Sequence, residues 1–166
     1  MIKFIGIFVI TFAMLLTGCP STKNIADAKK TSHKLAVYAN TGINVTRDLY
    51  QKNLLSPDPQ KNLAIKDKIA TGFIALSQAG QEFDKAVLDL EAQYGTNAPP
   101  QTEMDKLAAL FDAEIVAKLV QLLKTIGLSS VQGQFGNIID TLKTAVLTIA
   151  QVFGKHAATA ATLKAA

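Results

Sequence analysis

Two histidines, His33 and His156, and thirteen carboxylates are the groups with which this chain could hold a metal or move a proton; Cys19 is its only thiol. A metal site would need both imidazoles with a carboxylate such as Glu82 or Asp84. No His-x-x-x-His, His-Glu-x-x-His or Glu-x-x-His spacing occurs to put such ligands on one helical face. The plainer reading is a solvated His33 and a His156 at the edge of a bundle. Glu114, between Phe111 and Ile115, reads as a partly exposed flank residue. Ser77, Ser129 and Ser130 lack a nucleophile-elbow or Ser-x-x-Lys setting. Tyr38, Tyr50 and Tyr94 read as core or edge aromatics, and no Gly-rich phosphate loop is present. The expectation is no catalytic residue, no cofactor and no metal ligand, hence not an enzyme.

Any such group must be positioned by helices. Tryptophan is absent, aromatics make up 7% of the residues, and Ala, Leu, Ile, Lys and Gln are plentiful. These side chains lose little rotamer freedom in a helix. Four helical patterns follow one another. The first spans about Lys23–Leu55 and stops at Ser56-Pro57-Asp58-Pro59, where two prolines forbid continuation. Asp58 is placed to cap the second, with Pro59 at its first position; this helix runs to about Tyr94. Thr102 is a candidate cap for the third, about Glu103–Ile126, which Gly127 ends. Gly127–Gly136 reads as a polar connector. The fourth spans about Asn137–His156 and is followed by an alanine-rich tail expected to fray.

The second helix carries the clearest period. Ile69, Phe73, Leu76, Gly80, Phe83, Val87, Leu90 and Tyr94 alternate steps of four and three residues, a heptad seam. The first helix carries a smaller matching set: Ala28, Ser32, Leu35, Ala39, Gly42, Thr46 and Leu49. Small residues there let the large side chains of helix two come close. In helix four, Ile138, Leu142, Ala145, Ile149 and Val152 form one stripe, with Ile139, Val146 and Phe153 beside it. That face is wide enough for more than one neighbour. Lys23, Lys29, Lys30 and Lys34 face Glu82, Asp84, Asp89 and Glu91 if helices one and two form an antiparallel hairpin turning at Pro57. The expected fold is all-α: an elongated antiparallel four-helix bundle with one longer hairpin.

The lone cysteine is decided by its position. After Met1-Ile2-Lys3 come 13 uncharged residues, Phe4–Leu16. A membrane-spanning helix needs about 20, so this run has the length of a signal-peptide core. Leu16-Thr17-Gly18-Cys19 follows. This resembles the lipobox of bacterial lipoproteins: an aliphatic residue, a small one, Gly or Ala, then Cys. The resemblance covers residues 1–19 only. It implies diacylglyceryl transfer to the Cys19 thiolate, cleavage between Gly18 and Cys19, and in many bacteria acylation of the freed amine. Two or three acyl chains, palmitate among the types expected, would hold the protein permanently, whereas one chain binds marginally. Pro20, in place of the Asp that retains enterobacterial lipoproteins at the inner membrane, favours the outer membrane. Asn44-Val45-Thr46 matches a glycosylation acceptor but sits inside a helical pattern and reads as coincidence.

The expected organisation is a signal peptide over 1–18, a lipidated cysteine with its tether over 19–22, and a helical domain over 23–166. Without residues 1–18 the chain keeps 16 bases against 13 acids, net +3. No dense basic tract or aromatic platform accompanies this excess, so no nucleic-acid partner is expected. The expected partners are the membrane, through lipid on Cys19, and an envelope protein docked on the bundle. Two other roles fit the residues. One is a carrier for a lipid or other apolar ligand, with room left by Gly42, Gly72 and Gly80. The other is an exclusion or immunity lipoprotein of the phage or plasmid type.

Overall fold

The computed structural model describes residues 22–95, 97–127 and 132–166. The fold is all-α, and no strand occurs among the described residues. Helix α1 is Thr22–Gln51 and α2 is Pro59–Tyr94. Helix α3, Gln101–Leu110, passes through a π-helical turn, Phe111–Val116, into α4, Ala117–Gly127. A short 3-10 turn, Gln132–Phe135, leads into α5, Gly136–Val152, and α6 is His156–Lys164. Helix α1 lies mainly along α2 and secondly along α5; α2 also meets the 101–127 rod, and α4 touches α5. The four rods close around one core.

The hairpin α1–α2 is built as the heptad pattern requires. Every position of both seams is buried except Tyr94, which is half-buried. A Cβ placed on Gly42 would lie 2.3 Å from the Phe73 ring, and one on Gly80 would lie 3.3 Å from Leu35 Cδ2. Glycine is therefore required at 42, because the ring occupies the space of its missing side chain. Asp58 caps α2 by accepting from the backbone N–H of Gln60 (2.9 Å) and Lys61 (3.1 Å), and Pro59 opens the helix. Helix α1 ends at Gln51 rather than near Leu55. Asn53, at φ 54°, turns the chain, the Leu54 N–H donates to the Leu49 carbonyl (2.9 Å), and the Asn53 N–H donates to that of Tyr50 (3.0 Å). This is the Schellman closure of a helix end.

Three features of the second half depart from expectation. Thr102 does not cap α3; Pro100 occupies the N-cap position and no side chain bonds there. The third helix is not α-helical throughout. In the π turn the Ala117 N–H reaches back five residues to the Asp112 carbonyl. Its buried positions Phe111, Ile115 and Leu119 are two successive steps of four, and an unbroken heptad seam has none. Local underwinding accommodates such a stutter. The fourth helix stops at Val152, not His156. Gly154 adopts φ 67°, and the Lys155 N–H donates to the Ala150 carbonyl (2.8 Å). The alanine-rich tail then forms α6, which returns Thr159 and Leu163 to buried positions.

Candidate functional site

The residues with chemical potential are distributed over the bundle rather than gathered. His33 and His156 are both exposed, as is Glu82. Among the described residues no three His, Cys, Asp or Glu side chains come close enough to hold a metal ion together. Asp84 is engaged with α1: the Ser32 hydroxyl lies within hydrogen-bond reach of its carboxylate and of the Lys29 carbonyl. One turn away, Lys29 Nζ pairs with Glu91 at 2.8 Å. Of the expected charge match of the hairpin, Lys29 and Glu91 form an ion pair, while Asp84 is met by the buried Ser32 rather than by a lysine. The ion pair is about one-third exposed on each side, so it orients the helices more than it stabilises them. Ser77 is buried and donates to Asn40 Oδ1 at 3.2 Å, a structural bond between the same two helices.

Glu114 sits half-buried in the π turn. Beneath that turn three rings meet. Phe83 and Phe111 stand 6.0 Å apart edge-on, Phe83 and Phe153 6.3 Å, and Phe111 and Phe153 5.7 Å. Lys155, just after the end of α5, pairs with Asp112 of the same turn. Rings and ion pair together fasten the end of α5 to α2 and the π turn. No buried side-chain nitrogen or oxygen among the described residues lacks a partner.

The glycine positions do not open a cavity. Phe73 fills the space at Gly42, Leu122 approaches Gly72 to 2.9 Å from a Cβ position, and Leu35 covers Gly80. Two hollows open to the surface. One of roughly 200 Å³ is lined by Ile25, Leu90, Tyr94 and Pro99 with Glu91 and Asn97. A second, of roughly 250 Å³, lies between α2 and α3 beside the Lys106–Glu103 ion pair. The hydrogen bond to Glu103, and then its charge, raise the pKa of the Lys106 ammonium above the ordinary lysine value.

No family model, curated protein or solved structure matches the chain. The functional reading therefore depends on the residues themselves. Gly18 and Cys19, with residues 1–17 before them, lie outside the described residues, as do Ser129 and Ser130. No helix among the described residues is long and apolar enough to cross a membrane.

Sequence reasoning placed the turn between α1 and α2 but missed the hydrogen-bonded cluster inside it. Asn62 is buried there. Its Nδ2 donates to the Tyr50 carbonyl (3.0 Å) and to Asn53 Oδ1 (3.1 Å), and its Oδ1 accepts from the Ser56 N–H (3.2 Å). Lys66 Nζ lies 5.1 Å from the centre of the Tyr50 ring. The available signal was that Asn62 lies one heptad before Ile69, on the backward extension of the α2 seam.

Proposed function

We propose that the chain is a lipid-anchored protein of the bacterial cell envelope, whose helical bundle acts as a non-catalytic scaffold or interaction module. The observation that carries this reading is Leu16-Thr17-Gly18-Cys19 at the end of a 13-residue uncharged run. A thiol at that place is where diacylglyceryl transfer and cleavage after Gly18 would act. The packing is compatible with such processing: the described core begins at Ile25, so a chain starting at Cys19 keeps every core side chain named above. The anchor would be effectively permanent once two or three acyl chains are attached. Pro20 favours the outer membrane.

The non-catalytic part of the reading is supported by the scatter of the carboxylates and histidines and by the satisfied buried polar groups. The carrier alternative draws less support, because large side chains fill the space at Gly42, Gly72 and Gly80. Acyl labelling and intact-mass analysis of protein from the native host test the proposal. The expected mature species begins at Cys19 and carries acyl chains, and Cys19→Ala abolishes labelling while leaving the helical circular dichroism spectrum intact. A mature species with a free thiol, or one still carrying the leader, refutes it.

A further inference from the structure

The turn between α1 and α2 holds two leucines in water. Leu55 is 1% exposed, yet its neighbour Leu54 is 53% exposed, and Leu63, in the opening turns of α2, is 44% exposed. This is not a loose loop. The Schellman closure at Asn53, the three bonds of Asn62 and the Asp58 cap hold the chain in one shape. Lys52 and Lys61 are exposed and stand two residues before Leu54 and Leu63 respectively. The nearby acids offset them only in part. The Asp58 carboxylate caps α2, and Asp67 pairs with Lys66 at 2.8 Å. Residues 47–68 carry five bases against three acids. The turn also lies at the far end of α1 from Thr22, a helix of 30 residues, or about 45 Å.

We propose that this turn is a second membrane-contacting site, which inserts Leu54 and Leu63 into the headgroup boundary of an anionic bilayer while Lys52 and Lys61 rest among the lipid phosphates. Apolar side chains flanked by lysines are the chemistry of interfacial binding, and basic residues near an anionic leaflet add attraction that salt screens. The turn suits a lipid surface better than a protein. A specific protein interface takes about 800 Å² from each partner and is organised around buried aromatic or arginine anchors, with lysine depleted. The turn proper, residues 52–63, is small and offers leucines and lysines but no aromatic or arginine side chain. A bilayer requires no matching shape. The site rests on the proposed anchor only for orientation: a chain held at its N-terminus presents the turn to a facing surface, so the protein would link two membranes.

A vesicle-capture experiment tests the site. The full chain is reconstituted through its N-terminal segment into neutral phosphatidylcholine vesicles, and its flotation with them is scored separately. Labelled vesicles containing phosphatidylglycerol, or lacking it, are then added. The expected result is capture of the anionic vesicles at least about tenfold above the neutral ones, diminishing with added salt. Leu54→Ser with Leu63→Ser should lower capture by about tenfold or more, and Lys52→Glu with Lys61→Glu should remove the anionic preference. All four side chains are exposed, so the melting temperature of each variant should match that of the wild type and verifies the fold. Equal capture of both vesicle types by the wild type overturns the proposal. So does unchanged capture by the leucine variant. If an acidic protein is the true occupant, no vesicles are captured and the proposal also falls. These variants leave acyl labelling of Cys19 unchanged, whereas loss of labelling without loss of capture would strike the anchor reading and spare the turn.

Discussion

The hairpin α1–α2 and the half that packs on it, 101–166, solve the same problem in different ways. In the hairpin, small residues on α1 face large ones on α2 at regular heptad steps, and Phe73 lies directly over Gly42. In the second half, regularity is interrupted by a π turn, a 3-10 turn and a glycine-closed helix end. Its cohesion comes instead from convergence: Phe111 and Phe153 meet Phe83 of the hairpin, and Phe135 meets Phe73 at 5.7 Å. A periodic interface needs only that each step repeat the last. An irregular one needs particular side chains to arrive from distant parts of the chain.

The largest tests of this contrast remove one ring from each region. Phe73→Ala and Phe111→Ala both delete a fully buried ring, and each should cost about 3–5 kcal/mol in chemical denaturation. The two are told apart by a second measurement. Phe111→Ala should also loosen α5 and α6, seen as faster amide exchange over 146–164, whereas Phe73→Ala should loosen the middle of the hairpin and the start of α5. Uniform exchange changes in both would mean that the halves do not differ in this way.

Next come the glycines. Gly42→Ala drives a methyl group into a buried aromatic ring and should destabilise by about 1–3 kcal/mol, more than the roughly 1 kcal/mol gained in helix propensity. In Gly72→Ala the one close approach is to the Leu122 Cδ1, at the far end of its side chain, while the Leu122 Cβ and Cα stand at van der Waals distance, so it should be neutral within about 1 kcal/mol. Equal effects at both positions would show that the Gly42–Phe73 contact is not the keystone of the hairpin.

Smaller effects sharpen the account of the turn. Asn62→Leu leaves the Tyr50 carbonyl and the Ser56 N–H without their side-chain partner and should cost about 1–3 kcal/mol. Asp58→Ala removes the cap of α2 and should cost about 1 kcal/mol. Smallest is the Lys29–Glu91 pair, for which a double-mutant cycle should give about 0–1 kcal/mol, decreasing with added salt.

Much of the fold was legible in residues taken in order. The period of α2, the small-residue seam of α1 and the Asp58–Pro59 start are local, and the structure has all of them. Thr102 misled because a cap depends on where the helix begins, and Pro100 takes that place. Gly154 was passed over because the apolar stripe continues to Phe153, so periodicity gave no reason to stop. The π turn had a trace in the double four-residue step through Ile115. Asn62 left only the oddity of an amide on a buried face. Of the candidate functional residues, the exposed histidines and half-buried Glu114 lie where the plain reading put them. The lipobox expectation at Gly18 and Cys19 concerns processing chemistry and is carried by those residues alone.

By itself the sequence determined which stretches are helical and which face of each is apolar, because a 3.6-residue period is written in neighbours along the chain. It also supplied the Lys29–Glu91 pairing, which agrees with an antiparallel hairpin. Only the tertiary structure decided that Phe73 fills the space at Gly42, that three phenylalanines from distant helices meet, and that Leu54 stays in water while Leu55 enters the core. Those outcomes depend on distances between segments far apart in sequence, which hydrophobicity, being without direction, does not specify.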